Sequence, residues 1–169
     1  MKDPKLVVPD VKYKVEYLKA VIEDMDNKAI TRLPKPKEGQ SFENFVAEQA
    51  EIQPREKSRV PATTLWLIDE GVFIGRLSVR HELNDNLRKV GGHVGYWIRP
   101  TKRRMGYGKK ILKMGLEKIK SLGIKNVLIT CDIDNLPSRK IIESHGGKLQ
   151  DTIEHSKEHP KLHRFWINL

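Results

Sequence analysis

The chain is predicted to form a single α/β domain built around a mixed sheet. Its 169 residues suit one domain and are enough to bury a core. Hydrophobic residues make up 38% and charged residues 32%, a balance typical of a globular protein rather than a disordered chain. Apolar patterning predicts a strand and two helices, then antiparallel strands, then helix–strand–helix–strand–strand, without an internal repeat.

The first third of the chain is predicted to be mainly helical. Lys5–Pro9 is a short apolar run that could form an edge strand. Asp10 is expected to cap a helix that ends near Asp24, and Ser41 a second helix that ends near Gln53. The apolar residues of the first helix recur at helical spacing; they are Val11, Val15, Leu18, Val21, Ile22 and Met25.

The remaining two thirds are predicted to hold most of the strands. Thr63–Asp69 and Val72–His81 are β-rich runs joined at Glu70-Gly71, which predicts a hairpin. The elements expected after it are a polar loop at Asn84–Lys89, a strand at Gly92–Arg99, a helix at Tyr107–Leu122, a buried strand at Asn126–Cys131, a helix at Leu136–His145, and an antiparallel pair formed by Lys148–Glu154 and Leu162–Leu169.

The formal net charge is +10, and the excess of basic residues is uneven along the chain. Residues 1–60 hold 12 basic and 11 acidic residues, whereas residues 61–169 hold 20 and 11. A basic excess indicates a polyanionic partner, either nucleic acid or a phosphate-rich small molecule. One stretch has seven basic residues and no acidic one: Arg99, Lys102, Arg103, Arg104, Lys109, Lys110 and Lys113.

The segment Arg103–Lys110 combines a glycine-rich loop with the start of a helix. The first amides of a helix lack internal acceptors, and the helix dipole places partial positive charge there, so anions bind at such ends. Gly106 and Gly108 allow a tight turn and the close approach of an anion. Lys110 stands where a P-loop needs Ser or Thr, and Ile111 where a dinucleotide fingerprint needs glycine. The loop is therefore predicted to bind a pyrophosphate, but in a ligand other than those bound by a P-loop or by a dinucleotide fingerprint.

The motif Arg103-x-x-Gly106-x-Gly108 resembles the acyl-CoA-binding signature of GNAT acetyltransferases. The strand that precedes it resembles the central strand of that family. A second block, Asn135-x-x-Ser138, opens a helix in the way the family does, with a glycine eleven residues after the asparagine. The resemblance covers roughly the C-terminal two thirds of the chain, and two separate motifs make it specific for the superfamily.

The resemblance implies a GNAT-like fold, in which a central mixed, mostly antiparallel sheet is flanked by helices and two central strands splay apart. Residues 1–169 would form one domain, with a helical acceptor-side region at 1–60 and a CoA-binding core at 61–169. The runs His81–Asn84 and Gly91–Tyr96 resemble a sub-group of predicted acetyltransferases without an assigned substrate.

The activity that the resemblance implies is transfer of the acetyl group of acetyl-CoA to a primary amine, by direct attack in a ternary complex and without a metal. The backbone of Ile98 or Arg99 would pair with the pantetheine arm and polarise the thioester carbonyl. The other residues implied in binding acetyl-CoA are Arg103, Arg104, Met105, Gly106, Tyr107, Gly108 and Lys109 at the pyrophosphate, and Asn135, Ser138 and Arg139 on the other side of the cleft.

Candidates for proton transfer are less clearly marked. His93 lies where many relatives carry a glutamate, and an imidazole suits a general base near neutral pH; the alternative is a hydrogen-bonded structural histidine. Glu82 ends the neighbouring strand and is a second candidate. Many members place a tyrosine as general acid seven residues after the asparagine, but this chain has Ile142 there. Ser138 or Tyr96 would then act as the general acid, or solvent would protonate the leaving thiolate.

The acceptor amine is not identified by the sequence. Acidic residues of the first two helices would suit a cationic amine, such as a polyamine, an aminoglycoside or a protein N-terminus, unless they form a solvated face; they are Glu23, Asp24, Asp26, Glu43, Glu48 and Glu51. The expected partners are acetyl-CoA and an amine, on a small molecule or on a protein N-terminus or lysine. Two other functions stay open: a nucleic-acid-binding module that uses residues 99–113, and an inactive acyl-CoA-binding protein, suggested by Ile142.

Further expectations concern location and assembly. Cys131 is the single cysteine, so no internal disulfide can form, and no apolar run approaches the ~20 residues that cross a bilayer. A cytoplasmic protein without a membrane partner is expected. The spacing of His155, His159 and His163 matches no established metal site. Dimers are common in the resembled family, so a homodimer is also an expectation, whereas a nucleic-acid partner is not.

Overall fold

The computed structural model describes residues 2–25, 33–52, 60–155 and 160–169. The strands are β1 (Lys5–Val7), β2 (Ala62–Asp69), β3 (Val72–Arg80), β4 (Val94–Ile98), β5 (Asn126–Asp132), β6 (Lys148–Ile153) and β7 (Leu162–Asn168). The helices are α1 (Lys14–Met25), α2 (Phe42–Ala50), α3 (Asp85–Lys89), α4 (Tyr107–Ser121) and α5 (Leu136–Ser144). These bounds lie close to those that the apolar pattern predicts.

The chain divides into two compact units. The first comprises Met1–Ile52, Thr63–Ser78 and Tyr96–Ile111, and the second comprises Gln53–Ala62, Val79–Gly95 and Leu112–Leu169. The strands form a four-stranded sheet in the order β1-β2-β3-β4 and a three-stranded sheet in the order β5-β7-β6. In the described part of the chain, no helix has the length and apolar character needed to cross a membrane.

The first unit is organised around an aromatic core beneath α1 and α2. Tyr17 stacks on Trp66 with ring centroids 4.5 Å apart, and it meets Phe73 edge-on at 4.8 Å. Phe42 and Phe45 of α2 close over the same tyrosine ring. Large aromatic rings bury much apolar area for little lost rotamer freedom, so this cluster fixes both helices on the sheet.

The buried face of α1 is not the apolar stripe from which the helix is predicted. Val15 is 66% exposed, and Ile22 and Met25 are each 63% exposed. The residues that α1 buries are Tyr17, Ala20, Val21 and Asp24. The helix itself is confirmed. Asp10 caps the 3-10 turn Val11–Tyr13 that leads into it, where its side chain accepts from the Lys12 amide. The buried face differs from this stripe because a tyrosine and an aspartate pack inward while aliphatic residues remain in solvent.

Asp24 is 3% exposed and joins three parts of the first unit. Its carboxylate accepts from the Leu33 amide at 2.7 Å and from Trp97 Nε1 at 3.1 Å. Leu33 lies in the segment after α1, and Trp97 lies in β4. Because a buried donor without an acceptor is costly, this one side chain ties helix, connection and strand together.

Replacing Asp24 by alanine should strongly destabilise the protein. The change leaves two buried N–H groups without acceptors, so we expect a loss of about 3 kcal/mol. Asp24→Asn should lose less, because one amide oxygen remains to accept. Urea unfolding followed by tryptophan fluorescence measures both, and Glu117→Ala on the exposed side of α4 is the control. An Asp24→Ala midpoint equal to that of the control would contradict the proposed tie.

The second unit is built on the antiparallel sheet β5-β7-β6. β7 pairs with both neighbours, placing Phe165 opposite Ile129 on one side and Leu149 on the other. Val127, Leu128 and Ile129 are consecutive and each at most 1% exposed, as predicted for a strand covered on both faces. Gly92 forms an isolated bridge with Ile129.

One prediction in this unit was wrong. Asn84–Lys89, predicted as a polar loop, contains the one-turn helix α3. The Asn84 side chain accepts from the Leu87 amide at 2.9 Å and so caps this turn. Asparagine favours both turns and helix caps, so a single turn with no buried residue leaves no apolar pattern that distinguishes it from a loop.

Candidate functional site

The loop before α4 has an unusual backbone in the first unit. Arg104 has φ 61° and Gly106 has φ 85°, both in the left-handed region. For an arginine this conformation is strained, and such strain clusters at functional sites. Left-handed residues in a turn allow successive amides to face one side and form a concavity that binds anions. The loop leads directly into α4, whose first turn has no acidic residue.

Tyr107, the first residue of α4, fixes this loop to the end of β2. Its hydroxyl donates to Asp69 Oδ2 at 2.6 Å, and Asp69 also accepts from the amides of Lys2 and Asp3. Burial and the bond to Asp69 raise the pKa of Tyr107 to about 12, so the hydroxyl keeps the proton that it donates. The sequence assigned Tyr107 a backbone role alone, because nothing marks a partner 38 residues away.

The backbone amides of Ile98 and Arg99, at the end of β4, point in different directions. The Arg99 amide donates to Ile74 O at 2.9 Å and is therefore used within the sheet. Neighbouring residues of a strand direct their amides to opposite sides, so the Ile98 backbone points away from β3. β4 is an edge strand of its sheet, and Arg103 Nε donates to Ile98 O at 3.1 Å. Of the two amides predicted to polarise a carbonyl, that of Ile98 is the better placed.

The Arg99 side chain is buried in an ion-pair network with α1. Its Nη2 lies 2.6 Å from Glu23 Oε1, its Nη1 lies 3.0 Å from Glu16 Oε2, and the side chain is 8% exposed. The hydrogen bonds that Arg99 donates to Glu23, ahead of the one it donates to Glu16, hold the pKa of Arg99 above its ordinary value. The charge of Arg99 is thus neutralised within the first unit.

Acidification should weaken this network. Burial alone would raise the pKa of Glu23, but hydrogen bonds from Arg99 and Thr101 outweigh it and leave that pKa lowered. The ionised Glu23 carboxylate therefore stabilises the fold fully at pH values above its pKa in the unfolded chain, about 4.3. This stabilisation is lost as the pH falls through the lower pKa that Glu23 has in the folded protein. Wild type should lose more unfolding free energy than Glu23→Gln between about pH 5 and pH 3. Urea titrations at each pH test this, with Glu117→Gln as control; parallel curves for wild type and Glu23→Gln would contradict it.

In the second unit, Asn135 and Ser138 organise the start of α5. The Asn135 side chain accepts from the Ser138 amide at 3.1 Å, and Arg139 Nε lies 2.8 Å from Glu143 Oε1. Ile142 is fully buried, and a Cβ at Gly147 would lie 2.5 Å from its side chain. The position that often carries a tyrosine in the resembled family is thus filled by a core residue. Contacts of Asn135, Ser138 and Arg139 with acetyl-CoA stay predictions.

His93 is 8% exposed and engaged with β5. The Leu128 amide donates to His93 Nδ1 at 3.0 Å, so Nδ1 carries no proton. The neutral ring then has its proton on Nε2 and offers no free lone pair to take one from an amine. Burial, followed by the charges of Arg88 and Arg80, lowers the pKa of His93 and favours this neutral form. The geometry supports the structural alternative for this histidine.

The other predicted catalytic residues have varied settings. Glu82 is exposed, and Tyr96 of β4 is half-buried. Ser138 hydrogen-bonds to Cys131, and burial raises the pKa of this thiol to about 11. These roles stay predictions. Residues 2–25, 33–52, 60–155 and 160–169 contain no group of His, Cys, Asp and Glu side chains that could hold a metal; His159 and Asp26 lie outside the described residues.

Two residues of the predicted acidic face of the acceptor region bind other parts of the first unit. Glu23 bonds to Arg99 and Thr101, and Asp24 accepts from Leu33 and Trp97. These two carboxylates are therefore structural, and a cationic acceptor cannot be inferred from them.

Comparison with known proteins gives a consistent result. The acetyltransferase (GNAT) domain family model matches residues 12–148. A search of curated protein sequences gives no match. The chain is similar in structure to RimL, a ribosomal L7/L12 alpha-N-protein acetyltransferase, with TM-score 0.73 and 15% identity over 100% of this chain and 92% of that one. It is also similar to the microcin C7 self-immunity acetyltransferase MccE in complex with acetyl-CoA and AMP, with TM-score 0.69 and 18% identity over 100% and 94%.

A third similar structure is yncA from Salmonella typhimurium with its cofactor acetyl-CoA, with TM-score 0.63 and 15% identity over 99% of this chain and 93% of that one. Since the family model covers most of the sequence, the chain belongs to the GNAT acetyltransferase family. The resemblance read from the loop and from the Asn135 block is confirmed, together with the fold it implies and the class of acyl-CoA-dependent acetyltransferase.

Proposed function

We propose that the protein transfers the acetyl group of acetyl-CoA to a primary amine, with the pyrophosphate held at residues 103–109. The left-handed turn at Arg104 and Gly106, which leads into the start of α4, carries this proposal. It offers backbone amides and a helix N-terminus to an anion. Exposed Arg103, Arg104 and Lys109 would add charge-assisted hydrogen bonds.

The reaction needs no covalent enzyme intermediate. The amine nitrogen forms a bond to the thioester carbonyl carbon, the C–S bond breaks, the nitrogen gives up a proton, and the CoA thiolate takes one up. The Ile98 amide is placed to stabilise the oxyanion of the tetrahedral intermediate. Glu82 remains a candidate for accepting the amine proton, and Tyr96 or Ser138 for supplying one to the thiolate. Solvent is the alternative for either transfer.

The chain offers a matched pair of glycines to test the loop. Gly106 and Gly123 both have positive φ, 85° and 79°, and Gly123 lies after α4 with no atom within 4 Å of an added Cβ. Each change to alanine imposes a similar backbone strain of about 1 kcal/mol. Only Gly106→Ala should also disturb pyrophosphate binding, and we expect it to weaken acetyl-CoA affinity about tenfold or more, or 1.4 kcal/mol.

Calorimetric titration with acetyl-CoA measures the effect, and Gly123→Ala is the control for strain. Equal affinities of the two variants would remove the loop from the site. Absence of acetyl-CoA binding by wild type at any salt concentration would contradict the proposed function. Salt-dependent retention on nucleic acid would then favour the alternative of a nucleic-acid-binding module. Binding without turnover of any amine would favour an inactive acyl-CoA-binding protein.

We place the activity in the cytoplasm, where acetyl-CoA is available and the single Cys131 stays reduced. The acceptor is an amine of a small molecule or of a protein. Its structural neighbours include a ribosomal L7/L12 alpha-N-protein acetyltransferase and a microcin C7 self-immunity acetyltransferase. A homodimer remains a prediction from the family resemblance alone.

A further inference from the structure

Arg76 of β3 is a half-buried cation for which the described residues supply no acidic partner. Its Nε donates to Gln49 Oε1 and its Nη2 donates to Thr64 Oγ1, both at 3.3 Å. Both partners are neutral. In the described ranges no carboxylate pairs with this guanidinium, and burial lowers the pKa of Arg76 while the nearby Tyr17 hydroxyl raises it. Arg76 is half-buried, and a charge drawn out of solvent to this extent is usually paired.

Other arginines of the protein show the contrast. Arg99 is paired with Glu16 and Glu23, Arg164 with Asp151, and Arg139 with Glu143. Arg139 is considerably exposed and yet has a carboxylate, whereas the more enclosed Arg76 has none in the part of the chain described. Arg76 therefore carries a positive charge that none of the described carboxylates neutralises.

The guanidinium also keeps donors free for a ligand. It has five N–H groups, and the two bonds to Gln49 and Thr64 use two of them. Nη1 of Arg76 makes no hydrogen bond. If this atom were buried, it would be a buried polar atom without a partner, but among the described residues Trp66 Nε1 alone is of that kind. Nη1 of Arg76 is therefore reached by solvent. Gln49 and Thr64 meanwhile hold the Nε and Nη2 donors in place.

Arg76 lies beside the backbone assigned to the reacting carbonyl. Ile74, two residues before it, accepts from the Arg99 amide. At Gly75, the residue between them, an added Cβ would lie 2.3 Å from Trp97 O and 3.0 Å from the Ile98 side chain. Adjacent strands are about 4.8 Å apart, so Arg76 lies within the span of a small molecule from the Ile98 amide. Its contact with Gln49 directs it towards α2, in the region predicted to receive the acceptor.

We propose that Arg76 binds an anionic group of the acceptor, so that the substrate is a primary amine with a carboxylate or phosphate a few bonds from its nitrogen. The inference rests on the proposed function and adds a substrate class to it. A guanidinium recognises both oxyanions by paired hydrogen bonds, and a fork already fixed by two neutral side chains loses little entropy on binding. It replaces the cationic acceptor that the acidic residues of α1 suggest.

The test compares matched amines that differ in the anionic group. Release of CoA is followed with amino acids and their carboxamides, and with phosphoethanolamine and ethanolamine. For wild type we expect kcat/KM at least tenfold higher for the anionic member of the preferred pair. Arg76→Gln should abolish this preference by a loss on the anionic member, with the neutral member changed less than about threefold. Arg76→Lys, which keeps the charge without the fork, should recover part of it.

Controls separate this proposal from the proposed function. Lys120→Gln removes one exposed charge from α4 and should retain the wild-type preference. Acetyl-CoA affinity should be equal in wild type and Arg76→Gln, since Arg76 is not assigned to the pyrophosphate. Wild type that acetylates neutral amines equally well, or Arg76→Gln with an unchanged preference, would overturn the anion site and leave the acetyltransferase proposal standing.

A direct binding measurement tests whether Arg76 binds an anion, and it does not require turnover. Inorganic phosphate and acetate are titrated into each variant with CoA present, and binding is followed by thermal shift. Wild type and Lys120→Gln should be stabilised more than Arg76→Gln. Equal stabilisation of all three variants would overturn the inference, even if no acceptor is found. Failure of acetyl-CoA itself to bind would instead contradict the proposed function.

Discussion

The end of β4 is held by a buried network of charges, and the candidate site depends on it. Arg99 reaches Glu16 and Glu23 of α1, and Asp24 on the same helix accepts from Trp97 Nε1. Ile98, whose backbone is exposed at the sheet edge, lies between Trp97 and Arg99. A buried ion pair costs much desolvation and need not stabilise the fold, but it does require one arrangement of its partners. That arrangement places the Ile98 amide.

A second constraint acts on the loop that follows. Tyr107 anchors the first turn of α4 to Asp69, and Arg103 Nε donates back to Ile98 O. The loop is therefore fixed at both ends, while Arg104 and Gly106 hold its left-handed turn between them. Such preorganisation lowers the entropic cost of binding a flexible ligand, because the amides already face one way. The Arg104 strain is offset by these anchors.

Local patterns were sufficient to predict the strands, the glycine loop and the four longer helices, but not the one-turn helix α3. They failed where a contact joins distant parts of the chain. The local pattern groups Arg99 with the basic stretch of residues 99–113, although its partners Glu23 and Glu16 lie 76 and 83 residues away. Glu23 and Asp24 were read as an acidic acceptor face for the same reason. No local pattern marks Arg76, because the lack of an acidic partner can be recognised only when its neighbours in the fold are known.

The setting of Cys131 has a practical consequence. Transfer to an amine releases CoA as a free thiol, and the protein contains one cysteine, which is 6% exposed. Its raised pKa of about 11 leaves little thiolate at neutral pH, and thiolate is the form that attacks disulfide reagents. A chromogenic disulfide reagent would thus count product thiols against a nearly silent enzyme, which makes continuous turnover assays possible without a coupling step.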